Sequence, residues 1–300
     1  MAGLSRKFRR LRQSEAATGL MLISPTALYA LALLAIPLGA IVLISFWTQT
    51  GVRDFDTTLT GANYVEALSD PIYRALMFRS LRIAGLVTLV TVLAAFPIAY
   101  FVSFGVPAQK KSLWIFLITI PFWTSYLIRV FLWKVILGYN GVFNSGLKVL
   151  GVIDQPLTFL LYNANSVVIT LAHAYAPFAI LPIFVALEKI DRSLLEAARD
   201  LGENRVMTFL RVTLPLAAPG VIAAVLIVFI PTIGDYVTPE LIGGPGGTMI
   251  ANMIQAQFLR LNNAPLGAAL AVLAMLIVSV IAVAFLVLGS RASGAKGTRK

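Results

Sequence analysis

Apolar residues fall into six long runs separated by polar stretches of unequal length. The runs are Leu20–Phe46, Ile83–Phe104, Leu113–Leu137, Val167–Leu187, Leu216–Gly234 and Leu266–Leu288. A bilayer core about 30 Å thick takes roughly 20 apolar helical residues per crossing, so each run has the length of one transmembrane helix. Barrel strands would be about 10 residues long and would alternate polar with apolar positions. These runs do not alternate. The pattern predicts an all-α, polytopic membrane protein with six transmembrane helices. The first run exceeds the roughly 7–15 residues of a cleavable signal core and reads as a retained anchor.

Composition narrows the class further. Of 300 residues, 59% are hydrophobic and only 12% charged, against about a quarter charged in soluble domains. A soluble globular fold and intrinsic disorder are both excluded. The absence of cysteine removes disulfides and thiolate chemistry. The single histidine, His173, cannot make a histidine-rich metal site; packing or pore lining is its expected role.

Net charge is +11, from 24 Lys and Arg against 13 Asp and Glu. The basic residues are sorted by side. Six spans place both termini together with the segments that contain Lys110, Lys111 and 188–215. That side holds 16 basic residues, including Arg6, Lys7, Arg9, Arg10 and Arg12 near the start and Arg291, Lys296, Arg299 and Lys300 at the end. The other side holds six: Arg53, Arg74, Arg79, Arg82, Lys148 and Arg260. The positive-inside rule therefore predicts cytoplasmic termini. The lipid bilayer accounts for the charge, so no nucleic-acid partner is expected.

The long cytoplasmic segment 188–215 is patterned. Ser193 followed by Glu196 fits a capping box that starts a helix. Leu194, Leu195, Ala198 and Leu201 repeat at helical spacing, and Gly202 suits the helix end. A second amphipathic segment carries Val206, Phe209, Leu210 and Thr213, and Leu214-Pro215 is expected to end it and open the fifth span. From these residues alone, a solvated connector and a rigid apolar knob presented to a cytoplasmic partner both remain open.

The spacing Glu196-Ala197-Ala198, three residues, Gly202, nine residues, Val212-Thr213-Leu214-Pro215 resembles the EAA loop of binding-protein-dependent ABC importer permeases. The resemblance runs from about Arg79 to Leu288. It implies a type I importer-permease bundle in the bacterial inner membrane. In that family the loop couples to an ATPase, so Ser193, Glu196, Ala197, Ala198, Asp200, Gly202, Leu214 and Pro215 become coupling residues. The organisation implied is a 1–78 segment of N-terminus, first span and first periplasmic loop, a five-helix core over 79–290 with the coupling loop 188–215, and a tail over 291–300. Ser80–Leu86, Pro121–Arg129, the Lys134–Asn144 segment and Gly234–Gly244 further resemble the spermidine/putrescine permeases. The partners implied are two copies of an ABC ATPase, a second homologous permease and a periplasmic solute-binding protein.

No G-x-x-x-x-G-K-[ST] motif is present, so the chain is not expected to be an enzyme. It carries no cofactor of its own, and ATP and Mg belong to the partner ATPase. Gly243–Gly247 is glycine-rich but reads as a turn. For a substrate path, Pro121, Pro177, Pro182 and Pro231 free backbone carbonyls inside spans. Trp123 and Tyr126, three residues apart, offer aromatic faces to an ammonium group. Asp235 and Glu240 offer carboxylates at the outer mouth. The competing reading of Trp123 and Tyr126 is an interfacial belt, and that of Asp235 is an ion pair with Arg129 or Lys134. A stand-alone secondary transporter or channel would show acid–base relays inside its spans. No Asp or Glu lies well inside any run.

Overall fold

The computed structural model describes residues 15–52 and 54–292. Arg6, Lys7, Arg9, Arg10, Arg12, Arg53, Lys296, Arg299, Lys300 and the Arg291 side chain lie outside the described residues. Helices dominate, and the expected spans are recovered with three corrections.

From the N-terminus, α1 (Glu15–Ile44) leads to a short antiparallel pair, β1 (Thr48–Gln49) and β2 (Phe55–Asp56), with Thr48 opposite Asp56. These two-residue strands are the only departure from helix among the regular elements described. α2 (Ala62–Ser69) and α3 (Pro71–Tyr100) follow, and α3 runs on through a π turn (Phe101–Gly105). Asp70 starts α3: its side chain accepts from the Ile72 amide at 2.6 Å, and Pro71 supplies the first helical position. The second span is therefore 35 residues long, about 50 Å at helical rise. The first correction follows. Residues 62–82, expected as loop, are mostly helix, and those from Pro71 onward are continuous with the second span.

The second correction concerns the third run. α4 (Ala108–Thr119) passes into a 3-10 turn (Ile120–Trp123), the chain extends at Thr124 and Ser125, and α5 (Tyr126–Leu137) begins. Pro121 has no amide hydrogen to continue the ladder. By length and hydropathy the candidate span here is Tyr126–Val149, later in the chain than the expected Leu113–Leu137, while α4 and α5 form a broken pair beside the fourth span. The contacts of that pair march antiparallel along α7 (Ala164–Glu188): Lys111 meets Glu188, Phe122 meets Phe178, Trp133 meets His173, and Lys134 lies over Tyr162. α6 (Val142–Val149) sits between α5 and α7 in the chain.

α8 (Arg192–Asp200) and α9 (Arg205–Thr208) follow, and α9 passes through a π turn (Phe209–Thr213) into α10 (Leu214–Gly234). The third correction is here. Leu214-Pro215 does not end a separate segment; residues 205–234 form one run of 30 residues. Widening the turn by one residue accommodates the amide that Pro215 lacks. A π turn at Pro239–Gly243, then α11 (Gly244–Gly247) and α12 (Ile250–Leu259), lead to α13 (Ala264–Ala292).

The second, fourth and fifth spans pack as the centre. Val87, Leu171, Ile183, Leu187, Ala217 and Val228 belong to one buried cluster. Lipid offers no hydrophobic drive for helix association, so close contact between small residues supplies it. Gly220 shows this most directly. A Cβ there would lie 2.5 Å from both Ala186 Cβ and the Pro182 carbonyl. Several threonines in the spans are satisfied within their own helix: Thr88, Thr91 and Thr232 each donate to the carbonyl four residues back. α1 packs against α13, outside this centre.

Candidate functional site

The 188–215 segment folds into a compact unit at one end of the bundle. Asp191, not Ser193, caps α8. Its side chain accepts from the Ser193 amide at 3.0 Å, and the helix begins at Arg192. That donor holds the Asp191 carboxyl below its usual value of 3.8. The expected Ser193/Glu196 capping box is thus replaced by an Asp cap two residues upstream, because a carboxylate is the stronger acceptor at a helix N-terminus.

The far end matches expectation. Gly202 has φ +88. Its amide donates to the Arg199 carbonyl at 2.9 Å, and the Glu203 amide donates to that of Ala198 at 3.0 Å. These two bonds form a Schellman turn, whose left-handed residue favours glycine. A Cβ on Gly202 would meet nothing within 4 Å, so conformation alone selects the residue within this chain.

The helix presents different faces. Leu195 and Ala198 are buried against the bundle, while Leu194, Ala197 and Leu201 point outward, with Leu201 86% exposed. The four apolar positions expected on one face are therefore divided between two. Ser193, Glu196 and Asp200 are exposed at i, i+3 and i+7. Leu214 and Pro215 stand at the start of α10, behind the knob. A cavity of about 210 Å³ separates Arg192, Leu195, Glu196 and Arg199 from Tyr100 and Phe104.

At the opposite end, Asp235 and Tyr126 come together. The Tyr126 hydroxyl donates to Asp235 Oδ2 at 2.6 Å and lies 2.6 Å from Thr238 Oγ1. Asp235 Oδ1 accepts from the amides of Val237 and Thr238 at 3.0 and 3.4 Å. Asp235 is 9% exposed. Tyr175, like Tyr126, is partly buried against the central cluster. Sequence reasoning missed Thr238 and Tyr175. The Asp-x-x-Thr spacing after a span was a legible capping signal for Thr238; nothing local marked Tyr175.

The other expected path residues do not join this cluster. Trp123, just before the break, is 76% exposed and packs edge-on to Phe116. The extended Thr124 and Ser125 separate it from Tyr126, so the two share no helical face. Glu240 forms an ion pair with Arg260 at 2.8 Å. Arg129 and Lys134 do not pair with Asp235. Arg129 is 7% exposed; its two terminal nitrogens donate to the carbonyls of Thr124 and Ala174 at 3.0 and 3.4 Å, and its Nε has no partner. The guanidinium thus bridges the break in the third span to the fourth. His173 accepts from the Trp133 indole at 3.1 Å, a packing contact. Pro177 and Pro182 sit inside an unbroken α7.

A polytopic helical bundle with a broken span, a polar cluster at one end and a capped helix–Schellman unit at the other has the architecture of a membrane permease. The chain matches the family described as "Binding-protein-dependent transport system inner membrane component" over residues 28–292 and belongs to it. It is 37% identical over 225 residues to the spermidine/putrescine transport system permease protein PotB of Escherichia coli K12, covering 75% of this chain and 81% of that one. The PotB of Haemophilus influenzae is 37% identical over 237 residues, 79% of this chain and 82% of that protein. The inner membrane ABC transporter permease protein YdcU of Escherichia coli K12 is 32% identical over 231 residues, 74% and 73% of the two chains.

Among solved structures, a bacterial ABC transporter involved in import of the acidic polysaccharide alginate superposes with a TM-score of 0.71. The match is at 18% identity and covers 95% of this chain and 99% of that one. A chain of the MetNI methionine ABC transporter gives 0.54 at 17% identity, covering 74% and 99%. These neighbours share the fold. Since one of them serves an acidic polysaccharide, the fold does not dictate the charge of the solute. The chain is an ABC importer permease of the inner membrane.

Proposed function

We propose that the chain is one half of the translocation pathway of a polyamine importer, taking putrescine or spermidine. The observation that carries this reading is the 37% identity to PotB over three quarters of the chain. The Asp235 site supports it. Its carboxylate is held by hydroxyl and amide donors and by no cation among the described residues, which leaves the negative charge available to an ammonium group. Tyr126 and Tyr175 add aromatic surface beside it.

Both termini face the cytoplasm in this reading. A separate ATPase, which binds ATP and Mg, docks on the outward face of α8 formed by Leu194, Ala197 and Leu201, with Ser193, Glu196 and Asp200 alongside. A periplasmic binding protein delivers solute to the opposite end. The second permease is a similar but different chain, and the ATPase is present twice. A second reading, an importer for an amino-acid-like or other small solute, is favoured by one feature: Arg129 is buried beside the third-span break without a carboxylate.

Uptake by the complete complex in vesicles separates the two. Labelled putrescine or spermidine should accumulate only with ATP inside and binding protein outside. Accumulation of an amino acid and not of a polyamine would leave the importer standing and remove the polyamine.

A further inference from the structure

Four segments of the chain meet around two residues, Glu188 and Ser103, near the end that carries α8. Glu188 is the last residue of α7. Its Oε1 accepts from Ser103 Oγ at 2.7 Å and from Lys111 Nζ at 2.5 Å. Ser103 lies in the π turn that ends the second span and is 1% exposed. The carbonyl of the same Ser103 accepts from Arg192, the first residue of α8, at 3.4 Å. The second span, α4, the fourth span and α8 are thus tied through Glu188 and Ser103.

α4 depends unusually on this tie. None of its residues is fully buried; Ile118 packs, partly buried, against the central cluster, and side-chain packing on the rest of the helix is sparse. Besides Lys111, the ring of Trp114 meets Phe101 of the π turn, with centroids 5.5 Å apart. At its other end the chain is extended at Thr124 and Ser125 and carries no helical ladder into α5. With few side-chain contacts and a break at its far end, α4 has the Lys111–Glu188 ion pair as its charged tie to the fourth span among the described residues.

We infer that Glu188 is a positioning residue that makes α4 follow α8, so that a displacement of α8 is transmitted to the inner half of the third span. The inference rests on the proposed docking of an ATPase on α8. A push on α8 reaches Ser103 through Arg192, and Glu188 through the three-residue link between α7 and α8. Both converge on the oxygen that holds Lys111. The Lys111–Glu188 pair is only partly shielded from solvent, with side-chain exposures of 15% and 35%. Its static contribution is therefore modest. Its role lies in direction: one charge-assisted bond selects which helix moves with which.

The test uses the full importer complex. The chain has no cysteine, so in a complex whose partner subunits have had their cysteines replaced, Ser112→Cys and Arg199→Cys place two spin labels, on α4 and α8, without background. Both positions are exposed. The α4–α8 distance should stay narrow and constant through the nucleotide cycle. Glu188→Gln and Lys111→Met should broaden it, and should lower solute transported per ATP hydrolysed by roughly three- to tenfold while the complex still assembles. Lys111→Arg, which keeps the charge and a donor, should restore both readouts. An unchanged distance distribution and unchanged transport per ATP in Glu188→Gln and Lys111→Met would overturn the inference. The unsubstituted complex reports on the reading beneath it. If its ATPase assembles and hydrolyses normally after the outward face of α8 is replaced, docking on α8 is wrong, and this inference falls with it.

Discussion

Asp235 is the residue on which the solute reading turns, and its surroundings make two outcomes separable. Had it been paired with Arg129 or Lys134, removing its charge would strand a buried cation and cost about 3–5 kcal/mol. The structure instead gives it the Tyr126 hydroxyl and two backbone amides. An asparagine at 235 keeps the oxygen that accepts from those amides, and its amide group faces a hydroxyl that can turn to accept. Asp235→Asn should therefore melt within about 1 kcal/mol of the parent, while polyamine uptake falls and loses its dependence on ionic strength. Thermal unfolding and uptake measured on the same preparation check both halves. A strongly destabilised protein, or uptake at the parental rate, would remove Asp235 from the path. Trp123 carries no such expectation, because the break at Thr124 and Ser125 takes it away from the cluster.

At the scale of elements, α8 was legible in outline and misread in detail. The apolar spacing and Gly202 announced a short helix with a defined end, and Gly202 at φ +88 closes it as expected. The cap was misplaced because Asp191 and Ser193 are both good caps, and sequence alone does not say which carboxylate or hydroxyl reaches the first free amide. The break in the third span was hidden for a related reason. Hydropathy reports the depth of a residue, not the continuity of its helix, and Pro121 alone marks a kink no better than Pro177, which leaves α7 intact. The Asp235–Tyr126 contact spans 109 positions, beyond any local pattern. Gly202 also yields a test. Asparagine tolerates a left-handed backbone, and the space beyond Gly202 is empty within this chain. Gly202→Asn should thus unfold near the parental temperature. If transport nevertheless falls severalfold at normal membrane levels, the empty space is where the partner sits. Gly202→Asp adds a charge to the same volume and should uncouple transport more completely. Full uptake by both variants would take the ATPase away from this turn.

The molecule as a whole bears on the proposal that this chain forms only half of a path. Its centre, where the second, fourth and fifth spans meet, is closed by side chains such as Val87, Leu171, Ile183 and Leu187, all essentially inaccessible. A polyamine brings two or more charges, and a path lined by those residues would leave them unsolvated in a medium where an isolated ion costs several kcal/mol or more. A cavity of about 540 Å³ between the C-terminal end of α10, α12 and α13 is walled mainly by apolar residues such as Ile233, Ile250, Met275 and Val278, with Tyr236, Gln255 and Ser279 its polar groups and no carboxylate in its lining, so it offers a polycation no counter-charge. The polar cluster at Asp235 lies at the end of the fifth span and not along its length. The conducting route must therefore run along a surface of this chain, with the remaining acidic and aromatic groups supplied from outside it. A second permease subunit would meet that need, and in the proposed importer a separate ATPase is the motor. Purified with its neighbours, the chain should be recovered with one different permease and two ATPase copies, a composition that intact-complex mass measurement resolves. Purified alone, it should neither bind nor hydrolyse ATP. Uptake by vesicles containing only copies of this chain and the ATPase would show that the second half of the path is this chain itself. ATP hydrolysis by the isolated chain would contradict the division of labour altogether.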